Sequence, residues 1–310
     1  MLENEISFDS GDIPLSGTMN LPSEEGTFPC VLMIHGSGRF DRDENNPHMK
    51  IDAFNTIADH LAEKGIASLR YDKRGCGKSG GSFETAGFYD LVQDGMAAYR
   101  YLVTHTSINK DKIFLLGHSE GAMIAPKIYL SYPAIAGLIL LAVPVKNLED
   151  SLKYQTKLIK DDVENGKGLA RLINKLLWKI IRYDPVEAWQ TIFEKTKDTD
   201  KDSFRYKGQK INAKWLREHI EYDPKYTICN VNCPILSITG DKDIQVDPQD
   251  AASVADLAKG PVEYHIVSNL THILRPDDGP PSLFNYKKLL KQGIDQRVLD
   301  LISVWIKKKI

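Results

Sequence analysis

Cysteine is scarce in this chain, long apolar runs are missing from it, and neither sign of charge dominates. Only four cysteines, Cys30, Cys76, Cys229 and Cys233, occur in 310 residues, and they are scattered. A disulfide framework is therefore not expected, and reduced thiols are the default. Cys229 and Cys233 have no second Cys/His pair at ligand spacing beside them, so neither a metal nor any other cofactor is expected. No apolar run approaches the roughly 18 residues of a membrane-spanning helix. Met1-Leu2-Glu3-Asn4-Glu5 lacks a basic segment leading into an apolar one, so no export signal and a cytoplasmic location are the expectation. Lys and Arg number 40 against 42 Asp and Glu, a formal net charge of -2. That balance offers no electrostatic basis for binding nucleic acid or an anionic membrane. No internal repeat or low-complexity tract is visible. What remains, 42% hydrophobic and 26% charged residues, suits a soluble globular chain of one large α/β domain with an insertion, or two domains.

Taken in order, the chain opens with two short strands over 3–8 and 15–21, joined through Gly11-Asp12 as an antiparallel pair. Pro29-Cys30-Val31-Leu32-Met33-Ile34 follows, an apolar run without alternation. Such runs suit strands covered on both faces, as in a mainly parallel sheet. Helix-spaced apolar residues over 51–64 stop at Gly65, and strand 66–71 comes next. The loop Asp72 to Gly81 contains Gly77-Lys78-Ser79, the ending of a phosphate-binding loop. The full pattern needs a glycine where Asp72 stands, so a tightly turned surface loop is the better reading. Helix 88–104, strand 112–116, helix 122–131 and strand 137–143 continue the alternation, which predicts a parallel sheet with right-handed crossovers.

The rhythm breaks over residues 146–230. Amphipathic helical stretches replace strands at 150–160, 168–182, 185–196 and 212–220, with charged loops between them. In the second stretch Leu169, Leu172, Ile173, Leu176, Leu177 and Ile180 share one face. The expected organisation is thus an α/β core of residues 1–145 and 231–310 with a helical cap, or lid, inserted at 146–230. Strand 233–240, helix 249–258, strand 262–267 and an amphipathic helix over 295–309 complete the core.

The chemistry centres on Gly117-His118-Ser119-Glu120-Gly121, between a strand and a helix. A serine flanked by glycines at such a bend is lifted above the sheet edge, and the helix that follows aims its first N–H groups at the same spot. A serine hydroxyl needs a base, and the base needs an orienting carboxylate. In a parallel sheet both belong in loops just past strand ends. Of eight histidines, His60 and His219 fall on helices and His265 in a strand. His35 and His118 are locked in tight turns, and His48 and His105 lie away from that edge. His272 alone follows the last strand in a free loop. Past strand 234–239, Asp243 is the candidate carboxylate, since Asp241 beside Gly240 is better placed to cap the turn.

The order Ser119, Asp243, His272, with Gly240-x-x-Asp243 and the glycine-flanked serine, resembles the α/β-hydrolase superfamily. His35-Gly36-Ser37-Gly38 resembles its oxyanion loop, and Tyr71-Asp72-Lys73-Arg74-Gly75-Cys76-Gly77-Lys78-Ser79 its post-strand turn. The insertion after the sixth strand, and the charged stretch Arg39-Phe40-Asp41-Arg42-Asp43, are similar to those of small bacterial carboxylesterases, including cinnamoyl and feruloyl esterases. The His272 context, Thr-His-Ile-Leu, departs from the commoner Asn-His. The resemblance covers about 1–145 and 231–310 and implies a serine carboxylesterase working through an acyl-enzyme. Ser119 attacks, His272 relays the proton, Asp243 orients it, and the backbone N–H groups of Ser37 and Glu120 bind the oxyanion; the Glu120 side chain is assigned only to favouring its helix N-terminus. The expected partner is a small-molecule ester, with Trp178, Trp189, Trp215, Phe193 and Phe204 supplying either the core of the cap or an apolar or aromatic pocket. Peptidase or amidase and thioesterase chemistry on the same triad are the alternatives. Two further readings are a non-catalytic binding protein on this scaffold and a homodimer formed through the cap.

Overall fold

A computed structural model describes residues 1–166 and 168–310; Lys167, inside the expected insertion, lies outside the described residues. Eight strands form the central sheet: β1 (Leu2–Ser10), β2 (Ile13–Leu21), β3 (Phe28–Ile34), β4 (Ala67–Tyr71), β5 (Ile108–His118), β6 (Gly137–Leu141), β7 (Ile235–Gly240) and β8 (Val262–Val267). Their order across the sheet is β1-β2-β4-β3-β5-β6-β7-β8. β1 pairs antiparallel with β2 and β2 with β4, and every other pairing is parallel. This is the α/β arrangement expected, with its two antiparallel strands at one edge.

The apolar run of β3 has a simple cause. Cys30, Leu32 and Ile34 point into one core cluster while Val31 and Met33 point into another on the opposite face. β5 divides in the same way, with Ile113 and Leu115 on one side and Phe114 and Leu116 on the other. A strand buried on both faces cannot alternate with polar residues. Helices α2 (Phe88–Thr104) and α3 (Glu120–Ser131) cover the first face through Phe88, Leu91, Ile124 and Ile128. α1 (Ala53–Glu63) and the C-terminal helix (Gln296–Lys307) cover the second through Phe54, Ile57, Ile302 and Trp305.

Between β6 and β7 lie α4 (Leu148–Asn165), α5 (Leu169–Ile180), α6 (Pro185–Lys197), α7 (Ala213–Glu221) and the short α8 (Pro224–Ile228). Asn147 and Asp184 cap α4 and α6 by accepting backbone N–H bonds. One feature of this segment differs from the sequence reading. Ser203–Tyr206 and Gln209–Asn212 form an antiparallel hairpin outside the central sheet. Its turn, Lys207-Gly208, has φ of 46° and 83°, the doubly positive pair that two-residue hairpins favour. Phe204, Tyr206 and Ile211 pack from it against Phe193 and Leu216. Among the described residues no helix is long and apolar enough to cross a membrane.

Candidate active site

Ser119 ends the turn after β5 with φ 54° and ψ -115°, a conformation that L-residues adopt only under constraint. The constraint is visible on both sides. A Cβ on Gly117 would sit 2.1 Å from the Gly121 carbonyl oxygen, and one on Gly121 would sit 1.8 Å from that of Ile34. Each glycine is therefore required by close backbone approach. The Ser119 N–H donates to the Leu141 carbonyl at 2.9 Å, tying the turn to the end of β6.

Asp243 lies three residues beyond β7 and is buried. One carboxylate oxygen accepts the N–H groups of Gln245 and Val246 at 2.8 and 2.9 Å. The other is 2.7 Å from Nδ1 of His272. A carboxylate only accepts, so Nδ1 is the donor, and in the neutral ring that tautomer leaves the Nε2 lone pair free. His272 and Ser119 line the same small cavity of about 90 Å3. Among the described residues no hydrogen bond joins them, a looseness usual in a site without substrate. Asp241 instead accepts the N–H of Asn269 at 2.7 Å, bracing the loop that carries His272.

Beside the serine sits a buried ion pair that no sequence signal marked. His118 is 2.7 Å from Glu44 through Nδ1 and 3.0 Å from the His272 carbonyl through Nε2. Both partners are acceptors, so both ring nitrogens donate and the ring is an imidazolium. Burial alone would push the Glu44 carboxyl up, but the His118 cation and hydrogen bond outweigh it and hold it at about 2. The same burial pushes His118 down, and Glu44 outweighs it, leaving the imidazole above its usual value. Glu44 also accepts the N–H of Gly36 at 3.0 Å. One carboxylate thus links the loop after β3 to the residue before Ser119.

On the other side, the Glu120 side chain does more than sit at a helix N-terminus. Its Oε2 is 2.7 Å from Lys73 Nζ, and its Oε1 accepts from Trp215 Nε1 at 2.6 Å with His219 Nε2 at 3.1 Å. Burial raises this carboxyl, but Lys73 and then His219 overcome that and leave it well below the ordinary carboxylate range. Trp215 and His219 belong to α7, so this carboxylate fastens the insertion to the turn carrying Ser119. The backbone N–H groups of Ser37 and Glu120 have no acceptor among the described residues.

Ser37 and Ser119 also face a cavity of about 110 Å3 closed by Leu148, Leu152 and Trp215. Adjoining Ser37 and Glu120 is a larger one of about 290 Å3, walled by Phe83, Leu91, Trp189, Ile211, Trp215 and Leu216. The aromatic residues of the insertion therefore divide. Trp215 and Trp189 reach the site, Phe193 and Phe204 pack in the insertion's own core, and Trp178 lines a separate surface pocket. No cluster of metal-ligating side chains exists among the described residues.

The family described as "Serine aminopeptidase, S33" matches residues 47–278. Esterase EstD of Thermotoga maritima is 29% identical over 309 residues, covering 97% of this chain and 68% of that protein. Among solved structures, Est1E from Butyrivibrio proteoclasticus with ferulic acid bound superposes with a TM-score of 0.64 at 18% identity, covering 98% of both chains. DcsB in complex with a substrate analogue gives 0.65 at 15% identity, covering 100% of this chain and 99% of that one. Identities this low speak for the fold alone.

Proposed function

The chain belongs to the serine aminopeptidase S33 family of α/β hydrolases, and on that premise we propose that it cleaves small carboxylic esters by a Ser119-His272-Asp243 relay. The observation that carries the reading is the 2.7 Å bond from His272 Nδ1 to the Asp243 carboxylate, with His272 and the strained Ser119 on one cavity. Ser119 Oγ attacks the acyl carbon while Nε2 of His272 takes its proton. Asp243 holds the ring in the Nδ1–H tautomer and stabilises the imidazolium. The carbonyl oxygen, now an oxyanion, receives the N–H groups of Ser37 and Glu120. Collapse breaks the bond to the alcohol oxygen, which leaves with the proton from His272, and water then releases the acid from Ser119 by the same steps. Preorganised backbone donors of this kind are typically worth about 10²–10³ in rate each.

The cavity of about 290 Å3 suits an apolar acyl or alcohol group, and α7 with the hairpin forms its outer wall, so residues 146–230 act as the lid that selects substrate. Peptide cleavage, which the family description names, is the second reading. Recognition of an α-ammonium group needs an uncommitted carboxylate, and the one carboxylate lining that cavity, Glu120, already accepts from Lys73 and Trp215. That favours an ester. Short-chain p-nitrophenyl esters should be turned over by the wild type, and a fluorophosphonate should label Ser119. Turnover should drop by at least about 10⁴ in Ser119→Ala. Retained activity in that variant, or a folded wild type that neither turns over nor labels, would overturn the assignment; the latter result would point to a binding protein.

A further inference from the structure

Lys73 lies two residues beyond β4, and its side chain is 4% exposed. An ammonium group has three N–H donors, and three acceptors surround this one. They are Glu120 Oε2 at 2.7 Å, the His35 carbonyl at 2.6 Å and the Gly36 carbonyl at 3.0 Å. A buried cation is costly unless paired and fully hydrogen-bonded, and the proton relay makes no use of this one. Its place needs another reason.

The two carbonyls supply it. The Gly36 carbonyl belongs to the peptide unit whose N–H is that of Ser37. The Gly36–Ser37 peptide is trans, and in a trans peptide the C=O and N–H point in opposite directions. Gripping that oxygen therefore fixes the direction of the Ser37 N–H, and Ser37 lines two cavities that Ser119 also lines. His35 Nδ1, 2.9 Å away, donates to the same oxygen. The preceding peptide is clamped at both ends, its C=O by Lys73 and its N–H by Glu44. The third acceptor is the side chain of Glu120, whose backbone N–H is the other oxyanion donor. A cation on an amide oxygen also draws charge from the amide and strengthens its N–H as a donor.

We propose that Lys73 is a positioning residue that aims and polarises the oxyanion hole, one ammonium group tying the Ser37 peptide to the Glu120 side chain. This rests on the reading of Ser37 and Glu120 as oxyanion donors. Its signature is confined to the transition state, because donors aimed at the oxyanion act there far more than on the ground-state ester.

The test compares wild type, Lys73→Met/Glu120→Gln, and Glu120→Gln alone, with Ser119→Ala as control. The double change removes both buried charges, so neither is left unpaired. Folding is checked by thermal melting and near-ultraviolet circular dichroism. In the double variant kcat should fall roughly 30-fold with KM within about twofold. The Ki of an alkyl trifluoromethyl ketone, which adds Ser119 to give an oxyanion, should rise by the same factor as kcat/KM falls. Glu120→Gln keeps the ammonium and should show the same pattern at about threefold. An unchanged kcat in the folded double variant, or a loss carried by KM with Ki unmoved, overturns the proposal. So does failure of both variants to fold, since the role of the pair would then be structural. Activity surviving in Ser119→Ala refutes the functional reading instead, and the control keeps the two failures apart.

Discussion

The sheet and the insertion treat their apolar residues in opposite ways. From Cys30 to Ile34 every residue of β3 is buried, divided between two faces. Along α5 the apolar face is open: Leu169, Leu172, Ile173, Leu176, Leu177 and Ile180 are 48–71% exposed. Close packing holds the strand ends to a fixed separation, and bonds such as Asn269 N–H to Asp241 and His118 to the His272 carbonyl brace the loops that converge there. The insertion meets that site through α4, α6, α7 and the hairpin. α7 is fastened by the Trp215 indole N–H to Glu120, and the hairpin by Asn212, whose side-chain amide donates to the carbonyls of Phe83 and Ala86, both at 2.8 Å. α5 rests on α4 through Arg171 to Asp162 at 2.7 Å and Lys175 to the Glu164 carbonyl at 3.0 Å. On the mechanism proposed above, chemistry belongs to the packed region, and access to the part of the insertion pinned against it.

Changes in the packed region should have the largest effects. Asp243→Asn keeps the hydrogen bonds to the loop but favours the wrong His272 tautomer, and kcat on a nitrophenyl ester should fall by about 10²–10⁴. A drop below tenfold would remove Asp243 from the relay. Next is the buried pair at Glu44 and His118. Glu44 has a folded value below its ordinary 4.5, at about 2, so its contribution is present above about pH 4.5 and is lost as pH falls through about 2. His118 has a folded value raised above its ordinary 6.5, so its contribution is complete below about pH 6.5 and is lost as pH rises through the raised value. Glu44→Gln should therefore cost about 3 kcal/mol, with the deficit in melting temperature widest between about pH 4.5 and 6.5. A deficit independent of pH would show that the pair is not ionised.

Smaller effects are expected in the insertion. Trp215→Ala opens the wall shared by two of the cavities and removes the indole donor to Glu120. KM for apolar esters should rise about tenfold, the scale of one lost apolar contact surface, while acetyl esters change little. Equal effects on both ester classes would make Trp215 a support instead of a selector. Smallest of all, Leu172→Lys with Leu176→Lys should leave the folding free energy within about 0.5 kcal/mol, as for other exposed positions. A large loss in a thermal melt would mean that this face is covered in solution, as a dimer through the insertion requires.

Much of this was legible beforehand, and unevenly. The helix at 88–104 and the strand at 262–267 match the observed Phe88–Thr104 and Val262–Val267, because each is a full periodic segment with clear breakers. The hairpin at 203–212 has a turn signal, Lys207-Gly208 between Phe204, Tyr206 and Ile211, that the charged loop before it overshadows. For α5 the periodicity was readable and its environment was not, since a moment says that one face is apolar without saying what covers it. Ser119, Asp243 and His272 were marked by their places after strands, and the structure puts Asp243 in contact with His272 and puts Ser119 on the same cavity.

Glu44, and the parts taken by Lys73, Trp215 and His219, had no such mark. A glutamate after a charged stretch and a lysine in a turn look like ordinary solvated residues, and only burial next to a partner changes their meaning. Sequence by itself determined the α/β class, the strand rhythm and the glycine-flanked turn, because those depend on contacts between near neighbours and on backbone sterics. Tertiary structure alone decided that Glu44 meets His118, that Lys73 and Trp215 both meet Glu120, and that α5 faces solvent. The contacts join residues dozens of positions apart, and for Glu44, His118 and Glu120 the charged partner met there outweighs the cost of burial.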